Sequence, residues 1–323
     1  ALWTNANLHY WKATGDRALL EELYPYAEKN IAAFESYRSP EGISADAGWA
    51  FVDWGYVPNE GETDMGLNLI YFDALRAMST WSETLGKDSR VVYYKELAGQ
   101  MRTIIESYYA PFLRDTQVDW VKIGYHRTVL GIRNGFIPKH LIKEAISYIK
   151  QHMLNCFPNN ENAPRLSDPA ANNPQLITPY FAHYAYPLLI ENGEMDFVLD
   201  QYKTCWGWML DQGITTCTEV FDTRWSHCHQ WAGCPTWQLS RYGLGLHPAF
   251  HRAENSFDLK LEPGYLKAAS GKVPLPDGQV IEISWKVSGK QIDYSINTPV
   301  KIEIYLQDLE GRTKKILIKR SKT

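Results

Sequence analysis

No apolar run in these 323 residues approaches the roughly 20 needed to span a bilayer, so neither a membrane helix nor a membrane partner is expected. Charge of neither sign dominates: 33 Lys and Arg stand against 37 Asp and Glu, leaving −4. Without a basic stripe, nucleic acid is a poor partner. Cysteine is sparse and odd in number, at Cys156, Cys205, Cys217, Cys228 and Cys234, and none forms a C-x-x-C pair. Cys228, His229 and Cys234 lack the spacing of common zinc sites, so the thiols read as buried, and neither metal nor cofactor is expected. Nothing resembles G-x-S-x-G, a P-loop or a dinucleotide-binding glycine pattern, which removes support for serine-hydrolase and nucleotide chemistry. The chain enters a helical pattern directly at Ala1 with no targeting segment, so the compartment stays open between bacterial cytoplasm, periplasm and the exterior. The oligomeric state is equally open.

Aromatic residues are abundant instead: 13% of the chain, with 12 Trp and 20 Tyr. They suit either a large packed core or flat faces that stack on the C–H faces of sugars. From about residue 1 to 247 the periodicity is helical. Leu67, Ile70, Tyr71, Ala74, Leu75 and Met78 recur at three and four, as do Met195, Val198, Leu199, Tyr202, Trp206 and Met209. Thr14-Gly15-Asp16 and Glu191-Asn192-Gly193 mark seams between helices. About eight helices are expected, near 2–13, 16–37, 64–85, 90–109, 125–135, 139–155, 178–211 as two, and 227–245. Successive pairs with long loops point to a toroid of helical hairpins, with loops 40–63, 111–123, 156–177 and 212–226 along one rim. After Pro248 the period becomes two, as in Val280-Ile281-Glu282-Ile283-Ser284-Trp285. Residues 251–323 therefore read as a small antiparallel β-sandwich whose last run, Lys314 to Lys319, is a lysine-guarded edge strand.

Chemistry concentrates in two stretches. Residues 215–231 read TTCTEVFDTRWSHCHQW: one carboxylate, Glu219, with His227, His229, Phe221, Trp225 and Trp231 close by. A carboxylate on a rim loop among aromatics and imidazoles suits a base, whereas an isolated Glu is ordinarily just solvated. His227 and His229 are two apart and cannot share a helical face, so one is expected at the site and the other elsewhere. The second stretch is Asp53-Trp54-Gly55, where a carboxylate can hold sugar hydroxyls beside a stacking ring. Its bland alternative is an Asp cap and a core Trp.

These residues resemble the C-terminal part of the α-L-rhamnosidases of glycoside hydrolase family 78, in order along most of the chain. The matching features are Thr14-Gly15-Asp16, Asp53-Trp54, the helix Trp206-Gly207-Trp208-Met209-Leu210 with its Gly-x-Thr-Thr exit, Glu219, and Ser226-x-x-His229. Gly243-Leu244-Gly245-Leu246-His247-Pro248 follows, then Val273-Pro274, Asp277-Gly278 and Trp285. The resemblance implies an (α/α)6 toroid (residues 1–250) followed by a C-terminal β-sandwich. It implies that Glu219 is the general base, that His229 contacts the sugar and that Trp54 packs on it. The family's acidic motif carrying the general acid has no counterpart here. Thr218 stands where an aromatic is usual, and the helix beginning His126-Arg127-Thr128 is not the usual Gln-containing one.

A full toroid needs twelve helices. With about eight, an upstream segment of the same protein is expected to complete it. The expected activity is inverting hydrolysis of terminal α-L-rhamnosides, with Glu219 catalytic and Asp53, Trp54, His229, Trp225 and Trp231 binding a rhamnose-containing oligosaccharide or glycoside. Two rivals are a phosphorolytic enzyme with Arg224 and His227 holding the anion, and a non-catalytic sugar-binding homologue.

Overall fold

The computed structural model describes residues 1–44, 51–56, 63–114, 117–168, 171–306 and 313–320. Parts of the expected rim loops 40–63, 111–123 and 156–177 therefore lie outside the described residues. Chain contacts divide the molecule into two units. One comprises Ala1–Leu8, Ala18–Leu188 and Lys203–Ala232; the other comprises His9–Arg17, Leu189–Tyr202 and Gly233–Thr323.

Helices α1 (Leu2–Thr14), α2 (Arg17–Glu35), α3 (Met65–Thr84), α4 (Asp88–Leu113), α6 (Tyr125–Arg133) and α7 (Ile142–Asn155) fall where the periodicity predicts them. A one-turn α5 (Trp120–Ile123) interrupts the second expected loop, 111–123. The first unit is organised around α3. Asp64 caps its start by accepting from Leu67 N at 2.8 Å, and Gly86, at φ 69°, follows its end. The sequence pattern marks one apolar face, yet Leu69, Phe72, Ala77 and Trp81 are buried as well. Helix α3 is thus enclosed on most sides, packing on α4 and α6, with α6 on α7. Its polar atoms are satisfied internally: Trp81 Nε1 donates to Leu20 O at 3.0 Å, and the fully buried Asn68 pairs with both backbone groups of Ile43. Residues Arg38–Ser39 (β1) and Gly42–Ile43 (β2) form the two-stranded ribbon that Asn68 holds.

The second of the two helices expected over 178–211 and the one expected at 227–245 are broken up. The span 178–211 resolves into α8 (Ala182–Glu191), α9 (Met195–Gln201), a π-turn at Tyr202–Trp206 and α10 (Gly207–Asp211). The helix expected at 227–245 begins only at Gln230, as a 3₁₀ turn (Gln230–Gly233), α11 (Cys234–Gln238) and a second π-turn (Leu239–Gly243). Pro235 explains the restart: it lacks an N–H and suits only the first turn of a new helix. Residues 227–229 consequently sit on a loop.

The second unit contains the remaining strands. Leu246–Pro248 (β3), Ser256–Leu259 (β4) and Glu303–Leu306 (β8) form one sheet in the order β3-β4-β8. Ala268–Pro274 (β5), Val280–Ser288 (β6), Gln291–Thr298 (β7) and Thr313–Arg320 (β9) form another, in the order β5-β6-β7-β9. The alternation holds: Ile281, Ile283 and Trp285 face a core shared with Phe257, Leu259, Ile292 and Ile296, while Glu282 and Lys286 face outward. The pairing departs from expectation in two places, since β4·β8 and β7·β9 are parallel. Strand β5 is unexpected altogether. Its run Ala-Ala-Ser-Gly-Lys-Val-Pro has no apolar alternation, and pairing along β6 makes it a strand. A Cβ at Gly271 would come within 2.7 Å of Leu244 Cδ1, so a larger residue there would have to displace that side chain. Strand β9 is an edge, as expected; of its lysines only Lys319 has a described side chain, and it is exposed. No helix among the described residues is long and apolar enough to cross a membrane.

Candidate functional site

The first unit brings Trp54 and Glu219 into contact across 165 positions of sequence: Trp54 Nε1 donates to Glu219 Oε1 at 3.1 Å. Trp54 is aimed by a tight turn in which Tyr56 N donates to Asp53 O at 3.2 Å. Gly55 closes that turn at φ 75°, and a Cβ there would lie 2.8 Å from Leu176 Cδ2, so only glycine fits. The backbone of Gly55 is held in turn by Asn173 N, which donates to Gly55 O at 2.8 Å.

Glu219 is held by two facing arms of loop. Glu219 N donates to Ser226 O and His229 N to Cys217 O, both at 2.9 Å, and Thr216 Oγ1 bonds His227 O. Trp231 braces the turn, its Nε1 donating to Glu219 O at 2.8 Å. Trp54 thus holds Oε1, and no described residue hydrogen-bonds Glu219 Oε2.

Aromatic faces surround this carboxylate. Trp54 lies 6.4 Å, centroid to centroid, from both Trp225 and Trp231. Phe51 stands edge-on to Trp54 at 5.2 Å and stacks on Trp231 at 5.9 Å, and Tyr180 packs on Trp231 at 5.1 Å. Leu166, Leu176 and Val220 form the apolar floor beneath Trp54 and Trp225. The two histidines separate. His227 is exposed and bonds the local Thr223 O at 2.7 Å, whereas His229 stacks on Trp231 at 3.9 Å. His229 Nδ1 is buried and has no hydrogen-bond partner among the described residues.

Asp53 differs from its neighbour. It is 2% exposed, and its carboxylate accepts from three protein donors: Trp54 N at 2.9 Å and Thr178 Oγ1 at 2.7 Å on Oδ1, and His126 Nε2 at 2.8 Å on Oδ2. Little acceptor capacity is left for a sugar hydroxyl. An acceptor at Oδ2 assigns the proton of His126 to Nε2. Sequence reading gave no site role to Tyr180, His126, Thr178 or His183, and placed Phe51 only as the start of the stretch that holds Asp53 and Trp54. His183 Nε2 bonds Trp231 O at 2.7 Å, and burial holds its pKa below the ordinary value against the raising effect of that bond. Tyr180, His126, Thr178 and His183 have no local signal; each matters through a partner far along the chain.

The anion site suggested by Arg224 and His227 is otherwise engaged. Arg224 pairs with the buried Asp222 at 2.6 Å and donates to Leu166 O at 3.0 Å. Burial works to raise the Asp222 carboxyl, but the Arg224 hydrogen bonds outweigh it and hold it below its usual range.

Residues 1–156 match the family model described as the bacterial alpha-L-rhamnosidase six-hairpin glycosidase domain, a span that includes Asp53 and Trp54 but ends before Glu219. No curated protein matches the chain. Among solved structures, a glycoside hydrolase family 78 rhamnosidase of Bacillus sp. GL1 superposes at TM-score 0.74 with 21% identity, covering 99% of this chain and 34% of that one. The α-L-rhamnosidase of Dictyoglumus thermophilum superposes at TM-score 0.68 with 18% identity, covering 92% and 33%. That of Streptomyces avermitilis, solved with L-rhamnose, superposes at 0.62 with 19% identity, covering 86% and 26%. At such identities the likeness is one of fold, and the chain spans about a third of the length of the Bacillus and Dictyoglumus proteins. Residues 1–156 match the six-hairpin glycosidase domain of bacterial α-L-rhamnosidases, and the chain, mainly helical with a following β domain, is similar in fold to the family 78 rhamnosidase of Bacillus sp. GL1.

Proposed function

We propose that the protein is an inverting glycoside hydrolase of terminal α-L-rhamnosides in which Glu219 is the general base. One observation carries the reading: Glu219 has one oxygen held by the Trp54 indole and the other unbound by any described residue, within a wall of Trp54, Trp225 and Trp231. Such a carboxylate can take a proton from water while flat apolar faces receive a sugar. Rhamnose has a methyl group at C5 instead of a hydroxymethyl group, and the Trp wall suits that apolar end. The L-rhamnose held by the Streptomyces avermitilis relative supports the same sugar here. In this reading His229, stacked on Trp231, contacts the sugar. The general acid belongs to an upstream segment of the protein, roughly 6.5–9.5 Å from Glu219 to leave room for the attacking water. Residues 1–250 form the catalytic portion and 251–323 the sandwich domain. Asp53 acts on Trp54 rather than on the sugar, since its carboxylate is occupied by protein donors. Arg224 is neutralised by Asp222, which leaves the phosphorolytic alternative without its anion site.

The test is Glu219→Gln in the full-length protein with an aryl α-L-rhamnoside as substrate, the product anomer being followed by NMR. Gln keeps the acceptor for Trp54 but cannot take a proton. Turnover should fall by about 10²–10⁴, with rhamnose affinity little changed and β-L-rhamnose as the first product. A kcat within about threefold of the parent, against that expected loss, would remove Glu219 as the base.

A further inference from the structure

A buried carboxylate is costly unless it is paired and hydrogen-bonded, and Asp53 is buried with donors drawn from distant parts of the chain. His126 lies 73 positions away on the first turn of α6, and Thr178 lies 125 positions away, just before α8. Both are themselves buried, at 7% and 3% exposure. His126 has little freedom to swing: its ring meets Phe181 edge-on at 4.4 Å and Tyr56 at 5.1 Å. Thr178 is equally fixed, because its Oγ1 also accepts from Phe181 N at 3.0 Å. The shared carboxylate also accepts from Trp54 N at 2.9 Å, which ties the network to the turn that aims the indole. The indole in turn grips Glu219. A continuous chain of hydrogen bonds therefore runs from α6 and the segment before α8, through Asp53 and Trp54, to the carboxylate.

We infer that His126 and Thr178 are positioning residues for Glu219: acting through Asp53, they fix the Trp54 turn, and Trp54 fixes the carboxylate. The effect on catalysis rests on Glu219 being the base, as proposed above. Neither residue touches the substrate in this scheme. Their contribution is geometric, and a shift of about 1 Å at a reacting group can cost on the order of 10² in rate. Loss of either donor frees the Asp53 side chain, relaxes the turn and lets the indole leave Glu219 Oε1.

Two readouts test this in the full-length protein. The first is the indole N–H signal of Trp54 in protein labelled with ¹⁵N-tryptophan, assigned by its disappearance in Trp54→Phe. His126→Ala and Thr178→Val should each move that signal, as Glu219→Gln does, while the remaining indole signals hold. The second is kinetics on an aryl α-L-rhamnoside. His126→Ala should lower kcat at least about tenfold with a smaller change in KM. His126→Gln, whose side-chain amide places an N–H near the former Nε2, should recover most of it. Should His126→Ala fail to fold, Thr178→Val, which removes only a hydroxyl, carries the same two readouts. Folded variants with an unmoved Trp54 signal and unchanged kcat overturn the inference. A parent protein that turns over no rhamnoside, yet shows the Trp54 signal moving in these variants, supports the positioning of Glu219 and counts against the rhamnosidase reading alone.

Discussion

Removing the Asp53 carboxylate separates a structural role from a sugar-binding one. In Asp53→Ala, Trp54 N, Thr178 Oγ1 and His126 Nε2 all lose their acceptor in a site that is 2% exposed. Each orphaned buried donor costs about 1–3 kcal/mol, and breaking a buried pair from one side typically costs about 3–5 kcal/mol in all. The three donors share one acceptor and their costs are not additive, so about 3–5 kcal/mol is the expected loss. Such a loss is a large part of the roughly 5–15 kcal/mol that holds a domain folded. At about 2–4 °C per kcal/mol for a domain of this size, the midpoint should drop by roughly 6–20 °C. Asp53→Asn should be milder, about 1–2 kcal/mol. Its Oδ1 still serves Thr178 and Trp54, and only the His126 side meets an amide donor. The assay is thermal unfolding at neutral pH followed by circular dichroism, with urea unfolding as a check on the slope. A carboxylate that served only to bind sugar would leave stability untouched or improve it. A midpoint within about 2 °C of the parent in Asp53→Ala, set against the drop expected for a lost buried pair, would refute the structural argument.

His152 stacks on Tyr125 at 4.4 Å and bonds Leu176 O at 3.3 Å, and burial lowers its pKa to about 4. Because the folded value lies below the unfolded one, this contribution is complete above about pH 6.5 and fades as pH falls toward 4, by up to about 1.4 kcal/mol per pH unit. Unfolding midpoints measured from pH 7 to 4 should therefore slope downward, and less steeply in His152→Gln; an unchanged slope would acquit His152. Gly131→Ala should destabilise by about 1–3 kcal/mol even though Ala ordinarily favours helices. A Cβ there would lie 2.5 Å from the Tyr109 hydroxyl, which is bonded to Arg127 O. A higher midpoint in that variant would mean that Tyr109 yields at no cost.

Local chemistry set much of what the sequence by itself determined. The three-and-four spacing of Leu67, Ile70, Tyr71, Ala74, Leu75 and Met78 requires a helix, and the alternation of Ile281, Ile283 and Trp285 requires a strand, because side-chain period follows backbone geometry within one element. Glu219 was legible as a candidate for the same reason: its aromatic and imidazole neighbours lie within twelve residues. Tertiary structure decided the rest, wherever the deciding atom lies far along the chain. Strand β5, with its small residues, becomes a strand only because β6 offers it a ladder. His227 and His229 are alike in sequence, yet only His229 meets the Trp231 ring, since the loop arms and the helix restart at Pro235 orient them differently. Asp53 reads equally well as sugar ligand or cap until folding delivers His126 and Thr178 to its two oxygens. A hydrogen bond spanning 125 positions leaves no periodic trace in the sequence, because its partners share no element, only the point in space where the packing of separate helices and loops brings them together.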